Sequence, residues 1–110
     1  YNMGNSVDST NLFDLDELMM FSFYWINRNR YNHVVDAGAN LGLHSIVLSK
    51  CGYEICAYEP DPSHFKILRK NLEKNGCTNV TPFQAAISFE TGESEFIKVL
   101  GKVWSFKKYI

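Results

Sequence analysis

A chain of 110 residues that is 45% hydrophobic, 15% aromatic and 21% charged reads as one globular domain with a small core. Its 11 basic and 12 acidic side chains leave a net charge of −1 and are spread along the chain, which excludes the basic footprint of a nucleic-acid or anionic-membrane binder. Cys51, Cys56 and Cys77 are odd in number and form no C-x-x-C, so neither a disulfide framework nor a zinc knuckle is expected. No apolar run reaches a transmembrane span, and free cysteines fit a reducing, cytoplasmic setting.

Residues 1–11 are polar and read as a loose lead-in. A helix is expected from Asp14 to about Asn29: Asp14, Asp16 and Glu17 crowd its start, and Arg28 and Arg30 its end. Leu15, Leu18, Met19, Ser22 and Ile26 make one face, widened by Met20, Phe21, Phe23, Tyr24 and Trp25. So apolar a helix is covered on more than one side, in part by a subunit partner. A first strand follows at Asn32–Asp36, then a helix from about Gly42 to Cys51 with Leu43, Ile46, Val47 and Lys50 on its sheet side. A second strand at Glu54–Glu59 leads into a turn, Pro60-Asp61-Pro62-Ser63, where Asp61 or Ser63 caps the next helix. That helix runs to about Asn75 with Phe65, Leu68 and Leu72 inward. Val80–Gln84 is a third strand, Glu90-Thr91-Gly92-Glu93 a turn, and Ser94–Leu100 a further strand.

Strands alternating with helices imply an α/β fold: a Rossmann-like, three-layer αβα arrangement on a mostly parallel sheet with right-handed crossovers. The division expected is 1–31, lead-in and amphipathic helix, and 32–110, the Rossmann-like unit. Val34-Val35 and Ile55-Cys56-Ala57 read as strands buried on both faces, with Cys56 as core filler. The sequon at Asn79-Val80-Thr81 reads as a chance occurrence.

The informative stretch is Val34-Val35-Asp36-Ala37-Gly38-Ala39-Asn40-Leu41-Gly42, an apolar strand ending in an acid and a glycine turn that opens a helix. Nucleotide-type ligands bind at such turns in open α/β sheets. Gly38 permits φ > 0 and close approach of a ligand; Gly42 does the same where the helix packs close to the strand. Asn40 tolerates left-handed geometry. A carboxylate at Asp36 suits the amino group of an amino-acid moiety. Glu59, 17 residues after Gly42 and ending the second strand, can accept from both hydroxyls of a ribose. G-x-G-x-x-G fails at Asn40 and Leu43, which weakens a dinucleotide reading, and no phosphate-binding loop is present. His44 lies beside the turn, as a cofactor contact or a packing residue; His33 and His64 read as structural. No histidine pair has metal-ligand spacing with a carboxylate, so no metal is expected.

Asp36-Ala37-Gly38-Ala39-Asn40-Leu41-Gly42, Ala57-Tyr58-Glu59-Pro60-Asp61-Pro62, Asn71-Leu72 through Asn79-Val80, and Ala85-Ala86-Ile87-Ser88 together resemble the cofactor half of the FkbM-type methyltransferases, over about residues 33–98. The resemblance implies a class I, Rossmann-like sheet, S-adenosylmethionine as cofactor, and methyl transfer to oxygen on a small-molecule or glycan acceptor. It implies that Gly38, Ala39, Asn40 and Gly42 line the methionine part and that Glu59 holds the ribose. Pro60 and Asp61 then lie beside the adenine edge, approached by Ala86 and Ile87. The family's fourth strand, with its D-x-E-G-like turn, is not matched by Gly101–Ile110. The expectation is therefore a cofactor-binding half of weak or no activity by itself, self-associating through its sheet edge or N-terminal helix. Trp104, Phe106 and Tyr109 read as cover for that edge. The alternatives are a non-catalytic module for an adenine nucleotide or a partner, and a nicotinamide-dependent oxidoreductase fragment.

Overall fold

The computed structural model describes residues 14–88, Gly92, and the backbone of 94–97 and 103–106. The lead-in over 1–11, most of the turn at 90–93, and the side chains of Trp104, Phe106 and Tyr109 lie outside the described residues.

Helix α1 spans Leu15–Ile26. Asp14 caps it, its Oδ1 accepting from Glu17 N at 2.8 Å, with Asp16 and Glu17 in the first turn where the helix dipole favours acids. At the far end Arg28 donates from Nη1 to Trp25 O at 2.7 Å and stacks on the Trp25 ring at 3.8 Å, so the helix stops short of Asn29. Strand β1, His33–Ala37, leads to α2, Leu43–Lys50; β2, Glu54–Tyr58, leads to α3, Pro62–Lys74; β3 is Val80–Phe83. Asp61 is the α3 cap, accepting from Ser63 N at 2.9 Å, and Pro62 takes the first helical turn, where a missing N–H costs nothing.

The three strands form a parallel sheet in the order β1-β2-β3. In that register Val34, Ile55 and Val80 share one face and Val35, Cys56 and Thr81 the other. The first row joins the core with Ile46, Leu48, Leu68 and Leu72. The second row departs from the expectation of burial on both faces: Val35 is 59% exposed and Cys56 half-buried. No helix among the described residues covers that face at β1, so apolar composition there does not become burial. Strands β4, Ser94–Ile97, and β5, Val103–Phe106, form a separate antiparallel pair, so residues after Gly101 hold a strand that the sequence pattern did not announce.

Two helix faces also differ from their spacing. In α2 the buried residues are Ser45, Ile46, Leu48 and Ser49, while Lys50 is exposed. Both serines are buried because they have partners: Ser45 Oγ donates to Asp36 Oδ2 at 2.6 Å, and Ser49 Oγ to Asn79 Oδ1. In α1 the stripe of Leu15, Leu18, Met19 and Ile26 faces solvent. The docked side carries Phe21 and Tyr24, whose rings meet His44 of α2 edge-on with centroids 5.2 and 5.9 Å away.

Tyr53, 3% exposed, ties these layers together by donating its hydroxyl to Tyr24 O at 2.7 Å. Burial raises its pKa above the ordinary 10.0, with Cys51 and Tyr31 adding and Arg28 opposing; burial and then Asp36 raise Tyr24 likewise. The folded pKa exceeds the unfolded one, so the unfolded chain releases these protons first. Their contribution to stability is complete below pH 10 and is lost as pH rises toward the folded values. Urea melts at stepped pH should show the midpoint falling above pH 10. Tyr53→Phe should be about 1 kcal/mol less stable at pH 7, from the lost hydrogen bond, with a shallower alkaline fall.

Candidate functional site

The carboxyl ends of β1, β2 and β3 lie side by side, which is where open α/β sheets bind ligands. After β1 the chain turns sharply: Gly38 has φ +75°, Asn40 φ +53° and Gly42 φ +100°. The left-handed asparagine is as its residue type suggests. Gly38 N and Ala39 N both donate to Tyr58 O, at 2.8 and 2.9 Å, so the turn hangs from the end of β2. A Cβ built on Gly38 meets nothing within 4 Å, leaving open space over the turn. Gly42 is different. A Cβ there falls 2.7 Å from Leu68 Cδ1, so the close approach is to α3 rather than to the strand.

Glu59 is no exposed strand end but 6% exposed. Its Oε1 accepts from Asn40 N at 2.8 Å and its Oε2 from Asp61 N at 2.8 Å. One carboxylate thus joins the turn after β1 to the turn after β2, while Glu59 N donates to Phe83 O at 3.0 Å on β3. Each carboxylate oxygen has a second acceptor position, so capacity for two further hydroxyl donors remains.

Of the other residues singled out from sequence, Ala39 is buried under the turn, Pro60 and Ala86 are half-buried, and Ile87 is exposed. Asp61 is 2% exposed and turned to its own helix, with Oδ2 3.5 Å from His64 Nδ1. Asp36 lies on the helix face of β1, held by Ser45. Nothing caps α2 through a side chain at Gly42, and the first N–H groups of any helix lack intrahelical partners. Three contributors escaped the sequence reading. Ser45 orients Asp36; Asn71 Nδ2 donates to Leu41 O at 2.8 Å and steadies the turn from α3; Tyr24 brings its hydroxyl within 3.0 Å of His44 Nδ1. A polar residue on an otherwise buried helix face is the one signal that marks Ser45. No described group of three or more His, Cys, Asp or Glu is placed to hold a metal, and no described helix is long and apolar enough to cross a membrane.

Among solved structures, a SAM-dependent methyltransferase from Agrobacterium tumefaciens is similar over 84% of this chain and 36% of its own, with a TM-score of 0.58 and 10% identity. The chain has a Rossmann-like fold shared with that enzyme. The precorrin-6y C5,15-methyltransferase from Geobacter metallireducens aligns with 60% of this chain and 37% of its own, at 25% identity and a TM-score of 0.49, too loose to bear on the fold. This chain therefore spans little more than a third of either protein. No family model and no curated protein matches the sequence.

Proposed function

We propose that this chain binds S-adenosylmethionine and forms the cofactor-binding part of a methyltransferase of the FkbM type, acting on a hydroxyl oxygen of a small molecule or glycan. The observation that carries this reading is the buried Glu59 carboxylate bridging the turns that end β1 and β2, beside the open space over Gly38. The residues fit the cofactor by type. Glu59 keeps two acceptor positions for ribose hydroxyls, Gly38 leaves room for close approach, and Asp36, fixed by Ser45, presents negative charge toward an ammonium group. When bound, the cofactor would supply an activated methyl group on sulfur. This chain's part would be to hold that methyl group in line with an acceptor hydroxyl; transfer breaks the methyl–sulfur bond, leaving a neutral thioether, as the C–O bond forms, and the hydroxyl proton passes to water.

Titration calorimetry with S-adenosylhomocysteine tests this. Saturable one-to-one binding is expected, weakened more than tenfold, about 1.4 kcal/mol or more, by Glu59→Gln. NAD should give no saturable heat. Binding unaffected by Glu59→Gln in a folded variant, or preference for NAD, would overturn the reading. Folded protein that binds neither ligand favours the partner-binding module instead.

A further inference from the structure

We propose that the groove between α3 and β3 is a second small-molecule site, one for an amphipathic anion. Its volume of about 680 Å³ lies within the range of about 300–1,000 Å³ usual for small-molecule pockets. Gly38, Asn40 and Glu59 take no part in its lining, so it is separate from the site described above. The floor is apolar: Leu72, Cys77 and Val80 are buried, and Phe65 and Pro82 half-buried. The rim is basic. Lys66, Arg69 and Lys70 stand exposed on one side of α3, at the spacing that brings helix side chains together, against the single carboxylate of Glu73. Arg69 is held toward the floor, its guanidinium 6.0 Å from the Phe65 ring centre. An apolar body on Phe65 and Val80 with a carboxylate, sulfonate or phosphate on the rim satisfies both halves of the groove.

The edge of β3 decides against a peptide strand as the occupant. Ile55 N donates to Asn79 O and Glu59 N to Phe83 O, so Asn79 and Phe83 face β2 and Pro82 faces outward. The proline ring stands where the outward edge needs a donor, and an added strand would miss its mid-strand bond. A small molecule has no such requirement.

The probe is 8-anilinonaphthalene-1-sulfonate, followed by fluorescence on the full chain. Saturable binding is expected, at least tenfold weaker in Lys66→Glu/Arg69→Glu. Both positions are solvent-exposed, and an unchanged thermal midpoint checks folding. If that pair misfolds, Lys66→Gln/Arg69→Gln should show the same direction of change. Uncharged N-phenyl-1-naphthylamine should bind at least tenfold more weakly than the sulfonate. Met19→Lys, on the exposed stripe of α1, and Glu59→Gln should leave sulfonate binding unchanged. The proposal is overturned if the folded rim variant binds as wild type, if the uncharged probe binds equally well, if Met19→Lys abolishes binding, or if S-adenosylhomocysteine displaces the probe.

Discussion

Replacing Gly42 by alanine should destabilise the chain by about 2–5 kcal/mol, a large share of the roughly 5–15 kcal/mol that holds a domain of this kind folded. Two costs combine. The backbone at Gly42 has φ +100°, which an L side chain adopts only under strain of about 1–3 kcal/mol. The new Cβ also falls 2.7 Å from Leu68 Cδ1, and Leu68 is fully buried, so its side chain must shift within a packed core to make room. Gly38→Ala separates the two costs. Its φ of +75° brings the strain, but no atom lies within 4 Å, so only about 1–3 kcal/mol should be lost. Urea midpoints at constant m-value give the comparison. Leu68→Ala alone should cost about 2–5 kcal/mol, yet the double variant with Gly42→Ala should be more stable than the sum predicts, because the clash is gone. Equal losses at Gly42 and Gly38, or simple additivity with Leu68→Ala, would show that α3 yields and that the close approach of α3 to the turn is not a constraint.

The second large effect is expected at Asn79. Its Nδ2 donates to Tyr53 O at 2.7 Å and to Ser49 O at 3.1 Å, and its Oδ1 accepts from Ser49 Oγ. This one side chain fastens the end of α2 to the entries of β2 and β3, and it has no group left over for a glycan, in keeping with a chance sequon. Asn79→Ala strands three polar groups and should cost about 2–4 kcal/mol. Asn79→Asp should cost more at pH 7, since a carboxylate would then face two carbonyl oxygens. The folded pKa of the introduced carboxyl would lie above its unfolded value of about 3.9. Stability relative to wild type is therefore best below that value and is lost as pH rises through the folded pKa. Thermal melts at pH 4 and pH 7 should show a larger deficit at pH 7. A deficit that does not change with pH would mean that the side chain reorients and that the two carbonyls find other donors.

Asn79 shows how sequence and structure divide the information. As a residue before a strand it looks interchangeable, and its sequon reads as a chance occurrence. Its three partners lie 26 and 30 residues away, and only chain folding brings them there. Glu59 is the opposite case. Its place after an apolar run, and its distance from the glycine turn, mark it from sequence. The structure adds that the same carboxylate is a strut between two turns, which no spacing reveals.

The sequence by itself determined the alternation of strands and helices, the acidic start of α1, a cap for α3 at Asp61 or Ser63, and the turn at Gly38, Asn40 and Gly42 that admits left-handed geometry. Each of these follows from backbone preferences acting over a few residues. Tertiary structure alone decided which faces are buried. Periodicity locates an apolar face but does not say what lies against it. The stripe of Leu15, Leu18, Met19 and Ile26 was as apolar as the aromatic side that docks on His44, yet it faces solvent. Val35 was as apolar as Val34, yet it stands on the uncovered face of β1. Burial of Ser45 and Ser49 follows the same rule in reverse. A polar side chain enters the interior when an acceptor waits there, and Asp36 and Asn79 reach them only through the crossover that lays α2 across the sheet.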